Sequence, residues 1–136
     1  MSPEPIADTG LIVGLLNPHD QHHEWATDQV RQRPKGFVTC EAVISEAIYL
    51  VRKSARAKHA VIAMIESGWL RVHPVLPEMR VAVSRILESY HPNADYADAC
   101  CVALHEQTGG HVWTTDKRDF SIYRTRAGLP VPSIIP

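Results

Sequence analysis

Two spacings of apolar residues alternate along the chain. Short apolar runs that stop at a polar residue are separated by segments whose apolar positions recur every three or four residues. Ile6-Ala7 reads as the end of a short buried strand that stops at Asp8. Thr9 to Leu16 reads as an apolar helix ending near Asn17-Pro18. Asp20 to Arg33 is a polar surface helix with Trp25, Ala26 and Val30 turned inward. Gly36 to Thr39 forms a second strand, and Ala42 to Val51 has helical spacing. Ala57, Ala60, Val61, Met64 and Ile65 mark an amphipathic helix that Gly68 ends, and Trp69 to Val75 a third strand. Met79, Val83, Ile86, Leu87 and Tyr90 mark one helix face, broken at Pro92. Asp95 to Gln107 is a further helix, which Gly109-Gly110 ends. His111 to Thr114 is a fourth strand delivering Asp116, and Val131 to Ile135 a fifth.

Strands that alternate with helices predict a parallel sheet covered on both faces. Sites in open sheets of this kind lie beyond the carboxyl ends of the strands. Asp8 and Asp116 stand at that place on two different strands.

Composition narrows the class. The 136 residues, 45% hydrophobic and 21% charged, suit one globular domain and exclude a disordered chain. A net charge of −1 argues against coating nucleic acid by bulk charge, though not against a local basic patch. Cys40, Cys100 and Cys101 make a poor disulfide framework and fit free thiols in a reducing cytosol. No signal peptide or membrane span is visible, so a soluble cytoplasmic protein is expected.

Four acids interrupt apolar patterns where charge is costly: Asp8, Glu46, Asp98 and Asp116. Each has a plain structural reading as well. Asp95 or Asp98 can cap a helix, Asp116 can sit in a turn, and Glu46 can point sideways into water. Taken together, four segments each place an acid at the predicted sheet rim or facing it. Converging carboxylates repel one another unless a cation compensates, and an all-oxygen site suits Mg²⁺ or Mn²⁺. Such an ion serves in-line hydrolysis of a phosphodiester.

Ile6-Ala7-Asp8-Thr9-Gly10-Leu11-Ile12-Val13 resembles the opening of a PIN domain. Asp95-Tyr96-Ala97-Asp98-Ala99, together with Thr114-Thr115-Asp116-Lys117-Arg118-Asp119-Phe120-Ser121-Ile122-Tyr123, resembles the second half of the VapC-type toxins. The resemblance spans nearly the whole chain. It implies a three-layer α/β fold with a central parallel sheet of four to five strands. It also implies a Mg²⁺-dependent endoribonuclease, with Mn²⁺ as the alternative ion. Such a protein is the toxin of a toxin–antitoxin pair, forms a homodimer and is inhibited by a VapB-type antitoxin. Carried onto this sequence, Asp8, Glu46, Asp98 and Asp116 are the catalytic acids and metal ligands. Asp95 either binds metal through water or only caps its helix. Thr114 orients the acids by hydrogen bonding. Glu46 is preferred to Glu41, which lies in the first turn of its helix where the dipole accounts for it. Trp113 is large for its strand position and bears on the pocket wall, and Asp119 is structural, in the turn before Phe120.

Other features are weighed against this frame. His19, His22 and His23 cluster near Asp20, but a zinc site needs fixed spacing and a further partner, and a solvated helix start is preferred. Arg52, Lys53, Arg56 and Lys58 form one basic run. Lys117, Arg118, Arg124 and Arg126 form another, from which Arg118 and Arg124 are the expected substrate-binding residues. Cys100 and Cys101 belong to the core. The apolar faces at Ala57 to Ile65 and Met79 to Tyr90 offer a dimer surface. The competing reading is a PIN-fold interaction module with a weak metal site, against which the full set of acids counts. An aspartyl-phosphate enzyme would need an acid where Gly10 stands. A structure-specific DNA nuclease would need insertions that the length does not hold.

Overall fold

The computed structural model describes residues 2–136. Five parallel strands form the sheet: β1 (Ile6–Ala7), β2 (Phe37–Thr39), β3 (Leu70–Val72), β4 (Val112–Trp113) and β5 (Ser133–Ile134), in the order β3-β2-β1-β4-β5. Ile6 pairs with Val38 on one side and Val112 on the other. Strands covered on both faces need no polar alternation, and Ile6, Phe37, Leu70 and Val112 are all fully buried.

Helices α1 (Thr9–Leu16), α2 (His23–Arg31), α3 (Glu41–Leu50), α4 (Ala55–Glu66), α5 (Leu76–Ser89), α6 (Tyr96–Thr108) and α7 (Lys117–Ile122) flank the sheet, completing a three-layer α/β fold. Helix α6 is buried without interruption from Ala97 to Leu104, so it has no polar face and belongs inside the molecule. It packs on α5, α3, β1 and β4, while α1 packs on α2 and α3. An ion pair between Arg85 and Glu106 joins α5 to α6. The chain order reverses direction across the sheet at β1, between β2 and β4. A crevice forms at such a switch point, beyond the strand ends.

Strands β4 and β5 are shorter than the runs His111 to Thr114 and Val131 to Ile135, and three further differences from the sequence pattern have a local cause. The surface helix begins at His23 instead of Asp20, because the Asp20 carboxylate accepts the His22 N–H at 2.8 Å and holds the chain in a turn. Strand β3 stops at Val72. The His73 N–H still donates to the Thr39 carbonyl, but Pro74 has no N–H with which to continue. Helix α7 replaces the turn expected around Asp119; at six residues it is too short to show a period.

Gly36 brings the chain into β2 with φ of +81°. A Cβ there would lie 1.7 Å from the Trp69 carbonyl oxygen, a backbone atom in the neighbouring strand connection. Left-handed geometry costs a non-glycine residue about 1–2 kcal/mol before any clash. Gly36→Ala is therefore expected to lose about 2 kcal/mol or more of stability, read as a lower urea midpoint at unchanged m-value. An unchanged midpoint would show that this turn is not fixed by the close approach.

Candidate active site

Asp8 ends β1. Its N–H donates to the Trp113 carbonyl at 3.0 Å, which sets the acid beside the end of β4. The side chain, 5% exposed, caps α1: Oδ1 accepts the Thr9 N–H at 2.8 Å, and Oδ2 accepts the Thr114 hydroxyl at 2.7 Å. Thr114 is completely buried, and its Oγ1 also accepts the Asp116 N–H at 3.0 Å. One hydroxyl thus ties two acids from distant segments. Cys101 Sγ adds a weak contact to Asp8 Oδ1 at 3.8 Å.

The other acids are held in the same manner. Asp95 caps α6 by accepting the Asp98 N–H at 2.7 Å. Asp98 is 4% exposed, and its Oδ2 accepts the Tyr123 hydroxyl at 2.7 Å. Asp116 caps α7 by accepting the Asp119 N–H at 3.1 Å. The positive ends of α1, α6 and α7 thus lie at the acids, where they favour negative charge.

Asp8, Asp20, Glu46, Asp95, Asp98 and Asp116 line one cavity of about 280 Å³, with Val13 and Leu50 as apolar wall. Glu46 is half-buried, whereas Glu41 is exposed and lines no part of the cavity. The Thr9 hydroxyl is buried without a hydrogen bond of normal geometry, although it lies near enough to Glu46 to ease that carboxylate's ionisation.

No lysine, arginine or histidine lines this cavity among the described residues. The consequence is electrostatic. Burial pushes Asp98 up to about 8, and the charge on Asp8 adds to the rise; the Tyr123 hydrogen bond opposes it. Burial raises Asp8 to about 6 against the pull of the Thr114 and Thr9 hydrogen bonds, with Glu46 and Asp95 pushing further upward. Glu46 is raised by burial and by the charge of Asp95.

The donor set fits a hard divalent cation. It consists of carboxylate oxygens, and Asp95, Asp98 and Asp116 each keep one oxygen with no hydrogen bond among the described residues. The tightest group is Asp98, Asp116 and Asp119, whose carboxylate oxygens lie within 4.8 Å of one another. Asp98 and Asp116 share their cavity with Asp8, Glu46 and Asp95, while Asp119 lines the neighbouring one. Asp119, expected only in a turn, therefore stands among the acids. Burial raises its carboxyl and Asp116 adds to the rise, while Arg118 opposes both.

Several expectations meet their surroundings here. Arg118 is exposed beside Asp119, in an adjoining cavity of about 350 Å³. Arg124 turns its guanidinium onto the carbonyls of Ser121, Ile122 and Tyr123, each at 3.0 Å, at the end of α7. Trp113 packs edge-on against Phe37 and donates its indole N–H to Gln29, so it does not wall the acidic cavity. His23 Nδ1 contacts the Gly14 carbonyl at 2.7 Å, and no histidine joins a metal-competent group among the described residues. Tyr123 and Asp20 escape the sequence reading. The first has no charge to draw the eye, and the second is hidden among histidines.

A parallel α/β sheet that collects carboxylates at its switch point defines the class. Within it, the PIN domain family model matches residues 6–126, and the chain belongs to the PIN domain family. Among solved structures, the chain is similar to the Mycobacterium tuberculosis toxin VapC20, which cleaves the sarcin–ricin loop. The TM-score is 0.70 at 22% sequence identity, over 79% of this chain and 85% of that one. No curated protein matches the chain in sequence.

The raised carboxyls make a signed prediction. An acid whose folded pKa exceeds its unfolded value stabilises the fold below the unfolded value, and that stability is lost as pH rises through the folded one. In chelator, the melting temperature is expected to fall as pH rises from about 4 towards 8, and Asp98→Asn should flatten the fall. A flat wild-type profile over that interval would contradict the buried, uncompensated arrangement.

Proposed function

We propose that the chain is a divalent-metal-dependent endoribonuclease, the toxin of a toxin–antitoxin pair acting in the cytoplasm. The observation that carries the reading is a cavity lined by carboxylates from the end of β1, from α3, and from the starts of α6 and α7, with no cationic side chain lining it among the described residues. Membership of the PIN domain family and the shared fold with a ribonucleolytic toxin support it. No helix among the described residues is long and apolar enough to cross a membrane.

In this reading Asp8, Glu46, Asp98 and Asp116 hold Mg²⁺ or Mn²⁺, with Asp119 as a further oxygen donor and Asp95 contributing through its free oxygen. A divalent ion there supplies Lewis acidity at the phosphoryl oxygens and eases ionisation of water. The protein's own part is orientation. Thr114 fixes Asp8 relative to Asp116, and Tyr123 fixes Asp98, so carboxylates that would otherwise splay apart stay directed at one point. The buried strand ends behind them exclude water from that side of the cavity. Arg118 is the residue best placed to hold a substrate phosphate next to the acids. A homodimer and a VapB-type antitoxin complete the proposal.

Thr114→Val keeps the shape and removes the hydroxyl shared by Asp8 and Asp116. Loss of a hydrogen bond that orients a metal ligand typically costs about 10–100-fold in affinity or activity, and RNA cleavage by this variant should fall by that amount. Asp8→Asn and Asp98→Asn should show no cleavage above background. Sequencing of RNA ends after expression of wild type and each variant measures both. Wild-type cleavage by either Asn variant would end the reading.

A further inference from the structure

A second cavity opens beside the acidic one, and Leu50 belongs to the wall of both. It holds about 520 Å³ between the loop joining α1 to α2 and the loop joining α3 to α4. Its chemistry is the reverse of its neighbour's. Arg52, Lys53 and His19 line it, no acidic residue among the described residues does, and Leu16 and Leu50 give it an apolar side. Arg52 is fixed at the rim: its guanidinium donates to the Tyr49 carbonyl at 2.9 Å and lies 4.1 Å from the centre of the Tyr49 ring. A stacked, partly bonded guanidinium keeps other N–H groups for an anion at little further loss of side-chain freedom.

The cations continue beyond the cavity. Arg56 and Lys58 follow in the first turn of α4, which carries no acid. The helix dipole disfavours positive charge there. None of Arg52, Lys53, Arg56 and Lys58 forms a salt bridge among the described residues. Uncompensated cations gathered beside a cation-poor acidic site have the charge pattern of a surface that receives a polyanion.

We infer that this cleft is the track for single-stranded RNA on one side of the scissile bond. Arg52 and Lys53 take up a phosphate each, and the nucleoside between them lies against Leu16 and Leu50. The inference rests on the ribonuclease reading and names where its substrate runs. A nucleic acid strand carries one charge at every nucleotide. When one phosphate is at the acids, those that follow along the strand fall among the cations. A peptide has no such obligatory charge at each residue. Grooves that combine a cationic track with apolar or aromatic platforms are the common design for single strands.

The test uses the full chain and a fluorescent single-stranded RNA that the wild type cleaves, assayed across a range of salt concentrations. The double variant Arg52→Ala/Lys53→Ala should raise KM about tenfold while kcat stays within about twofold, because a phosphate contact remote from the reacting bond contributes uniform binding. The slope of log(kcat/KM) against log salt should shrink by about 1.4, at about 0.7 per phosphate contact on a single strand. A charge-matched control, Arg31→Ala/Arg80→Ala, should leave both unchanged, and thermal melting checks that each variant is folded. Wild-type KM and salt slope in a folded Arg52→Ala/Lys53→Ala protein would overturn the inference and leave the ribonuclease reading standing. So would loss of binding to a polyglutamate peptide with RNA kinetics intact, which would mark the cleft as a protein-binding surface. A wild type that cleaves no RNA removes the ribonuclease reading itself, and the track with it.

Discussion

Carboxylates crowded into a buried place repel one another, and this fold accepts that repulsion at one point. What holds the acids there is a set of neutral donors: the N–H groups that open α1, α6 and α7, the Thr114 hydroxyl and the Tyr123 hydroxyl. These donors orient the oxygens without neutralising them, so the charge stays available to a cation. A lysine among them would have offset that charge. The raised Asp98 and Asp8 carboxyls measure the imbalance that remains.

The topology makes the crowding achievable. Asp8 directly follows β1, and Asp116 comes three residues after Trp113 at the end of β4. These two strands are adjacent although far apart in sequence, and the Asp8 N–H bond to Trp113 locks their ends together. Helix α6, buried over its central two turns, carries Asp98 in its first turn, next to the rim. The apolar core therefore does two things at once. It supplies the packing that stabilises the domain, and it gives the acids a rigid, water-poor backing. Capping and chemistry are not alternatives for Asp8, Asp95 or Asp116. The oxygen that caps a helix fixes the direction of the carboxylate; in Asp95 and Asp116 the other oxygen has no hydrogen bond among the described residues, and in Asp8 it is held by Thr114.

The central strands and the convergence of Asp8, Glu46, Asp98 and Asp116 on one cavity were legible in the sequence for the same reason: a charged residue bordering an apolar run is costly, so it marks the rim of a buried element. Asp8 after Ile6-Ala7 and Asp98 before the apolar run Ala99 to Leu104 are of this kind. Glu46 was separable from Glu41 by position on the helix, and the structure puts only Glu46 against the cavity. Thr114 stood out only through the family motif, and its double hydrogen bond gives that motif a physical cause. Asp119 and Tyr123 were not legible as partners of Asp98. Their contact depends on α7, a helix too short to leave a periodic signature, which folds the chain back over the acids. The relation between Leu50 and the basic loop after it was also hidden, since nothing in a linear charge run tells which cavity it borders.

The central claim is that these acids are kept ready for a divalent cation, with Asp98 holding its proton near neutrality until the cation arrives. Calorimetric titration of the metal-free protein with Mn²⁺ at pH 7, in two buffers of different ionisation enthalpy, tests it most directly. Binding should release about one proton per site in the wild type, because a ligating carboxylate must ionise. The release should disappear in Asp98→Asn. No measurable binding, or binding with no buffer dependence, would contradict the account.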